Sequence, residues 1–360
     1  MSKSISVALP NKEQKIIIGN GITHQVIDSL LDKGYSSFVI FGDSNFIHLY
    51  GDLFAEFKEK LNPVDVIFIE PNESSKSLDF LNYVLERCTT ADLNRKGCLV
   101  VLGGGIVGDI TGFLASVYMR GVDMVFIPTT LMAQGDTIVN KVAISYKILK
   151  NIVGSFYSPN ITICDTNFLQ SLSEKEISLG FSEIIKHALI DSEQFADYLL
   201  DELSQHSFNS KFDWEKIIYE SIKIKSRIVE MDPYDENGIH KGLSYGHTFA
   251  NALEGISNYN FRHGDAVAIG MRISGYISHK SGILSESDLE IQEKLLDMAK
   301  LPKFLPIRID SNQIVSHLRR DKISSEGEIS IVILKRIGEY KILHGVNEEL
   351  VREALTKFQP

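Results

Sequence analysis

Three groups of residues in this sequence have the types and spacing to do chemistry. The first is Gly103-Gly104-Gly105, which follows the apolar run Cys98 to Leu102 and precedes a segment with helical spacing (Ile106, Ile110, Phe113, Leu114, Val117). Strand, glycine turn and helix in that order aim backbone N–H groups at one spot, a ready seat for a phosphate. Gly103, Gly105 and Gly108 also match G-x-G-x-x-G. They do so late in the domain and not in a first strand–helix turn, so the usual dinucleotide fingerprint is not what is present; a tight turn with close helix packing would use the same glycines. The second group is Glu183, Lys186 and His187 in GFSEIIKHALI, where spacings of three and four residues put the side chains on neighbouring parts of one helical face. On an otherwise apolar helix they read as reactive groups or as a solvated charged stripe. The third is Tyr245-Gly246-His247-Thr248 with Arg262-His263-Gly264-Asp265. Two histidines on neighbouring elements plus one carboxylate make a metal site with positions left for substrate oxygens, or a pair of core and capping histidines.

The elements that must carry these groups alternate in the first half of the chain. Residues 4–9 and 15–18 read as short strands around Pro10-Asn11, then come a helix (Gly21 to Lys33), a strand (Ser37 to Gly42) ending in Asp43, a helix (Leu53 to Leu61), a strand (Val64 to Ile69) and a helix (Leu78 to Cys88). With the glycine stretch and the run Met124 to Ile127, this predicts an α/β fold: an N-terminal, Rossmann-like parallel sheet with helices on both faces. Ligands of such sheets bind at the carboxyl ends of the strands, where Asp43, Glu73, Gly103 to Gly105, Thr129 and Thr130 fall. From Asn167 onward helices dominate: Ser173 to Ile190, Asp213 to Glu230, Gly242 to Gly255, Asp265 to Ser281 and Ser287 to Ala299, with one late strand (Ile329 to Leu334) and a final helix (Glu348 to Phe358). The expected division is 1–166 as an α/β domain and 167–360 as a mostly α-helical domain.

A chain of 360 residues exceeds what one core usually serves, in keeping with two domains. A net charge of −10 argues against a general binder of nucleic acid or anionic membrane, while leaving room for a local basic pocket. Cys88, Cys98 and Cys164 lie in or beside apolar segments without CxxC spacing and read as buried, reduced thiols. No apolar run approaches ~18 residues and MSKSISVALPNKEQK has no signal-like apolar stretch, so a cytoplasmic protein is expected.

The stretches GGGIVGDITGF, YMRGVDMVFIPTTLMAQGD, KNIVGSFYSP, DT, SEIIKHALI, YGHTF and RHGDAVAIGM, in this order, resemble the 3-dehydroquinate synthase superfamily of sugar-phosphate cyclases over about residues 37 to 345. The resemblance implies NAD contacts at Asp43, Glu73, Lys76, Gly104, Gly105, Asp109, Thr129 and Thr130. It implies a divalent metal, zinc or cobalt, held by Glu183, His247 and His263. Lys141, Asn151 and Lys322 match phosphate-side positions; Arg120 matches an arginine that reaches the partner's active site, which implies a homodimer. Asp136, Lys186 and Lys225 match residues lining the reacting carbons. The implied reaction oxidises a sugar hydroxyl transiently with NAD, eliminates phosphate, returns the hydride and closes a carbocycle by an intramolecular aldol step. The net change is that of a phosphate-eliminating carbon–oxygen lyase.

Several positions depart from true 3-dehydroquinate synthases. Their V-G-G-K-T-G-I-N is here Val139-Asn140-Lys141-Val142-Ala143-Ile144-Ser145, one glycine shorter. The arginine that grips the substrate carboxylate is His240, an asparagine is Ser244, a histidine is Asn251, and the second lysine of a late Asp-Lys-Lys is Ile323. Arginine forks onto a carboxylate through two parallel hydrogen bonds, a geometry histidine lacks. The loss is worth about 1.5–3 kcal/mol, roughly ten- to a hundredfold in affinity, although Lys241 beside it brings a positive charge. Changes at these positions mark cyclases whose substrates lack the carboxylate, such as 2-deoxy-scyllo-inosose and 2-epi-5-epi-valiolone synthases. The expected activity is therefore a sugar-phosphate cyclase acting on a substrate without the carboxylate. The alternatives are a true 3-dehydroquinate synthase acting on 3-deoxy-arabino-heptulosonate 7-phosphate, a metal-dependent alcohol or glycerol-phosphate dehydrogenase, and an NAD-binding pseudoenzyme.

Overall fold

The computed structural model describes residues 2–10, 12–137, 139–147, 149–206, 208, 212–257, 261–321, 323–324 and 327–360. Residues Met1–Ser173 with Trp214–Tyr234 form one compact unit, and Glu174–Asp213 with Asp235–Pro360 a second.

The first unit runs β1 (Lys3–Leu9), β2 (Lys12–Gly19), α1 (Thr23–Leu31), β3 (Phe38–Asp43), α2 (Ser44–Leu49), α3 (Gly51–Leu61), β4 (Asp65–Ile69), α4 (Leu78–Thr90), β5 (Cys98–Gly103), α5 (Gly105–Val117), β6 (Asp123–Pro128), α6 (Leu131–Gly135), β7 (Val142–Tyr146), β8 (Leu149–Ser155) and β9 (Ile161–Asp165). Its sheet has the order β1-β2-β9-β6-β5-β3-β4, antiparallel only between β1 and β2. Strand residues alternate between two cores. Val39, Phe41, Leu99, Val101, Met124 and Phe126 pack with α4 and α5, whereas Ile40, Val100, Leu102, Val125 and Ile127 pack with α1 and α3. Period-two alternation with both faces apolar is why these segments read as continuous hydrophobic runs. At the end of β9, Asp165 accepts from the backbone N–H groups of Gly21 (2.7 Å), Thr23 (3.0 Å) and Asn167 (3.0 Å), fixing where the chain enters α1.

Two features of this unit differ from the sequence reading. The polar tract after Asp136 contains a separate antiparallel hairpin, β7–β8, which packs on α5 where Gly112 gives Val142 room. Helix α9 (Trp214–Met231) belongs with the first unit: Ser221 Oγ donates to Gly135 O (2.8 Å), and Glu230 Oε1 accepts from the Ala8 N–H (2.7 Å).

The second unit holds α7 (Glu174–Asp191), α8 (Glu193–Gln205), α10 (His247–Ile256), α11 (His263–Lys280), α12 (Glu286–Met298), α13 (Ser311–Leu318), a hairpin of β10 (Ile331–Arg336) and β11 (Glu339–Leu343), and α14 (Glu348–Lys357). The single late strand expected from the sequence is thus one arm of a hairpin. The expected helix over 242–255 is broken, because Gly246 adopts φ 80° and starts α10 afresh after a short 3₁₀ turn. Helix α11 is apolar almost all round, since α7, α10, α12, α14 and β10 surround it. Its Arg272 has no exposed surface and bonds to Glu293, to Asp297 Oδ1 (2.6 Å) and to Pro302 O (3.0 Å).

The three cysteines are buried and unpaired. Burial pushes the Cys88 thiol up to about 12 and raises Cys98 and Cys164 as well. At about pH 8 all three are protonated and shielded, and the thiolate is the reactive form. Native protein will therefore leave a chromogenic disulfide reagent unreacted, and protein in guanidinium will consume three equivalents. Among the described residues no helix is long and apolar enough to cross a membrane.

Candidate active site

In the first unit the polar residues gather at the carboxyl ends of the strands. Gly103 ends β5, and Gly104 starts α5 with no side-chain cap on the helix. A Cβ on Gly103 would come within 2.7 Å of Val107 Cβ, one on Gly104 within 3.3 Å of Thr130 Cγ2, and one on Gly105 would meet nothing within 4 Å. The first two glycines are thus needed for packing, and the third leaves the helix N-terminus open to an anion. The Thr129 N–H donates to Gly103 O (3.0 Å), which sets Thr129 and Thr130 beside the glycine turn. Asp43 caps α2 through the Asn45 N–H (2.8 Å), and burial raises its pKa. Asp109, one turn into α5, pairs with Lys76 Nζ at 2.6 Å. Glu73 accepts from Ser145 Oγ (3.0 Å) and lies 3.9 Å from Lys150.

The sequence reading missed Gln134, which joins strand ends. Its Nε2 donates to Pro128 O and Asp165 O, each at 2.9 Å, bridging β6 and β9 below Thr129. Asp136 pairs with Lys225 (2.7 Å), whose ammonium also bonds Thr137 O (2.8 Å), so these two come together. Asn140 adopts φ 62° at the shortened glycine position, a left-handed conformation asparagine tolerates. Its N–H bonds Ser158 Oγ (2.8 Å) and its side chain bonds Pro233 O, which places Lys141. Arg120 is not brought to the glycine turn. It follows α5, whose 13 residues span about 20 Å, so it lies at the opposite end of the sheet. Lys322 lies outside the described residues.

In the second unit, Glu183, His247 and His263 converge. Glu183 Oε1 is 3.5 Å from His247 Nε2 and 3.3 Å from His263 Nε2, and the three candidate ligand atoms lie within 4.8 Å of one another. Glycines bring the three helices close enough. A Cβ on Gly264 would come within 2.7 Å of Leu179 O on α7, one turn before Glu183. One on Gly270 would come within 2.0 Å of Gly246 O, the carbonyl just before His247.

The donors fit a divalent metal. Glu183 is 1% exposed and Lys186 holds its Oε2, while Oε1 is buried without a hydrogen bond. His247 Nδ1 donates to Tyr245 O (3.2 Å) and His263 Nδ1 to Glu254 Oε1 (3.2 Å), which leaves each Nε2 lone pair facing Glu183. Glu254 was missed in the sequence. The signal was a carboxylate at a periodic apolar position of α10, two turns from His247. Without metal, burial disfavours the His263 imidazolium, but the neighbouring Glu183 and Glu254 carboxylates outweigh this and raise its pKa to about 10. Glu254→Gln will keep the fold and weaken metal binding about 10- to 100-fold, as loss of such an outer carboxylate does; competition against a chelator of known affinity measures it.

His240, buried, and Ser244 lie in the 3₁₀ turn before α10. Tyr340 pins that turn, its ring filling the space above Gly242 and its hydroxyl donating to Ile239 O (2.8 Å). Asn251 follows His247 by one helical turn and is exposed.

The family model for the 3-dehydroquinate synthase N-terminal region matches residues 66–179, and that for the C-terminal region matches residues 180–324. The chain belongs to the 3-dehydroquinate synthase family. The 3-dehydroquinate synthase of Bacillus pumilus (strain SAFR-032) is 33% identical over 342 residues, 94% of this chain and 93% of that protein. Among solved structures, 2-deoxy-scyllo-inosose synthase complexed with carbaglucose-6-phosphate, NAD+ and Co2+ superposes with a TM-score of 0.88 at 23% identity, over 99% of this chain and 100% of that one. ValA, the 2-epi-5-epi-valiolone synthase of Streptomyces hygroscopicus subsp. jinggangensis 5008 with NAD+ and Zn2+ bound, superposes with a TM-score of 0.87 at 22% identity, over 98% of both chains. At these identities the two structures establish the shared fold. The chain is a sugar-phosphate cyclase of the 3-dehydroquinate synthase superfamily.

Proposed function

We propose that this cyclase acts on a phosphorylated sugar that lacks the carboxylate of the shikimate-type seven-carbon acid. The supporting observation is His240, buried at the position of the family's carboxylate-gripping arginine, with Ser244 and Asn251 also exchanged. NAD would be held by Asp43, Glu73, Lys76, Gly104, Gly105, Asp109, Thr129 and Thr130, and zinc or cobalt by Glu183, His247 and His263. NAD supplies transient oxidation of one ring hydroxyl, and the metal supplies positive charge for the developing oxyanion.

The chain's own residues do the rest. Lys141, Asn151 and Lys322 bind the phosphate until it leaves; Arg120 joins them from a second copy in a homodimer, since its own sheet holds it far from the glycine turn. Lys186, fixed on Glu183, and Asp136, fixed on Lys225, orient sugar hydroxyls and carry protons during elimination, ring opening and aldol closure. In this division of labour 1–166 holds NAD and lends Asp136, Lys141 and Asn151 to the sugar phosphate, and 167–360 holds the metal, in a cytoplasmic enzyme.

The names of the curated relatives favour the second reading, a true 3-dehydroquinate synthase. Phosphate release measured in parallel on the seven-carbon acid phosphate, a heptulose 7-phosphate and glucose 6-phosphate separates the two. Turnover of a sugar phosphate without the carboxylate is expected; efficient turnover of the acid alone sinks the proposal.

A further inference from the structure

Lys76 is 5% exposed, and its ammonium lies 2.6 Å from Asp109 Oδ2 and 2.6 Å from Asn151 Oδ1. An ammonium is a donor only, so the edge of the Asn151 carboxamide that faces it must be the oxygen. The two N–H donors of Asn151 are thereby committed to the opposite edge. Asp109 holds the ammonium in place, and the same turn anchors the β7–β8 hairpin. Lys76 O accepts from the Ser145 N–H at 2.8 Å, and Glu73 accepts from the Ser145 hydroxyl at 3.0 Å. Asn151 itself takes φ 52°, a left-handed conformation that asparagine tolerates. A carboxamide free to rotate presents its oxygen to an anion as readily as its nitrogen, and only the nitrogen edge can bind a phosphoryl oxygen.

We propose that Lys76 is a positioning residue for the phosphate side of the site: by holding Asn151 Oδ1 it commits the carboxamide to donate to an anionic phosphoryl oxygen, and through Asp109 it ties that group to the cofactor cradle. The inference rests on the proposed role of Asn151 in phosphate binding. It adds to Lys76 a task different from contacting NAD.

The test is a double-mutant cycle on the NAD-loaded full chain, read as the affinity for inorganic phosphate by calorimetry. Asn151→Ala and Lys76→Met will each weaken phosphate binding about tenfold, the worth of one charge-assisted hydrogen bond. The double variant will be no weaker than the weaker single, because without the carboxamide Lys76 has nothing to orient. Lys76→Gln, whose amide offers both donor and acceptor, will show a smaller loss that again vanishes in the Asn151→Ala background; it carries the cycle should Lys76→Met not fold. Losses that multiply in the double variant, or wild-type phosphate affinity in the Lys76 variants, overturn the proposal. So does absence of saturable phosphate binding by the wild type. Cyclisation is read separately with sugar phosphates: phosphate binding without turnover sinks the function reading and leaves this one standing.

Discussion

Glu183→Gln will abolish turnover and leave a protein that no longer retains stoichiometric zinc or cobalt after gel filtration. Two losses combine. The carboxylate oxygen facing His247 and His263 goes, and Lys186, 2% exposed, loses its counter-charge. Breaking a buried pair by removing one partner costs about 3–5 kcal/mol, so the metal-free variant will also melt earlier. The acid range separates these effects. Burial works against the Glu183 carboxylate, but the Lys186 charge and the two histidines outweigh it and hold its pKa well below the ordinary 4.5. A depressed carboxylate stabilises the fold above its unfolded pKa and loses that contribution as pH falls through the native value. Metal-free wild type will therefore lose stability in that window faster than the glutamine variant. Denaturant titrations from neutral pH down through the acid range, on chelator-treated protein, measure it; parallel curves for the two proteins would overturn the assignment.

Gly270→Ala adds one methyl group seven residues from the nearest metal-site histidine and will disturb the site almost as deeply. The new Cβ would lie 2.0 Å from Gly246 O, and a backbone carbonyl cannot swing aside as a side chain can. Helix α11 or the start of α10 must move, and His247 is the next residue after that carbonyl. Overpacking of this kind costs about 1–3 kcal/mol, occasionally more. The specific signature is metal affinity that falls while the first unit, with its three buried thiols, keeps its protection from thiol reagents. A variant with unchanged metal affinity and melting temperature would show that the close approach is not needed.

Much of this was legible in the chain. The strands whose alternate residues feed two cores, the glycine turn before α5 and the order of the metal-site motifs all follow from local pattern, because each is set by neighbours in sequence. What escaped depends on partners far away along the chain. Helix α9 is amphipathic like its neighbours in sequence, and nothing local says that its apolar face meets β1 and β2. Glu254 looks like a stray charge until His263 folds against it. The hairpin β7–β8 was hidden because its two lysines and its asparagine dilute the alternation that marks a strand. Gly264 and Gly270 read as ordinary helix glycines until the helices they admit are in place.

The hairpin sets which changes this chain can absorb without re-pairing its main sheet. Among the described residues its ladder closes on itself and shares no rung with the seven-stranded sheet. Lys141 precedes it and Asn151 lies within it. A change of length or sequence there leaves the main sheet's pairing intact, and the attachments to be respected include Ser145 and Asn151 on the Glu73–Lys76 turn, and Val142 and Ile144 against the core on α5. The segment behaves as a cartridge that can be rebuilt without re-pairing the main sheet, changes being felt at the Glu73–Lys76 turn and the face of α5.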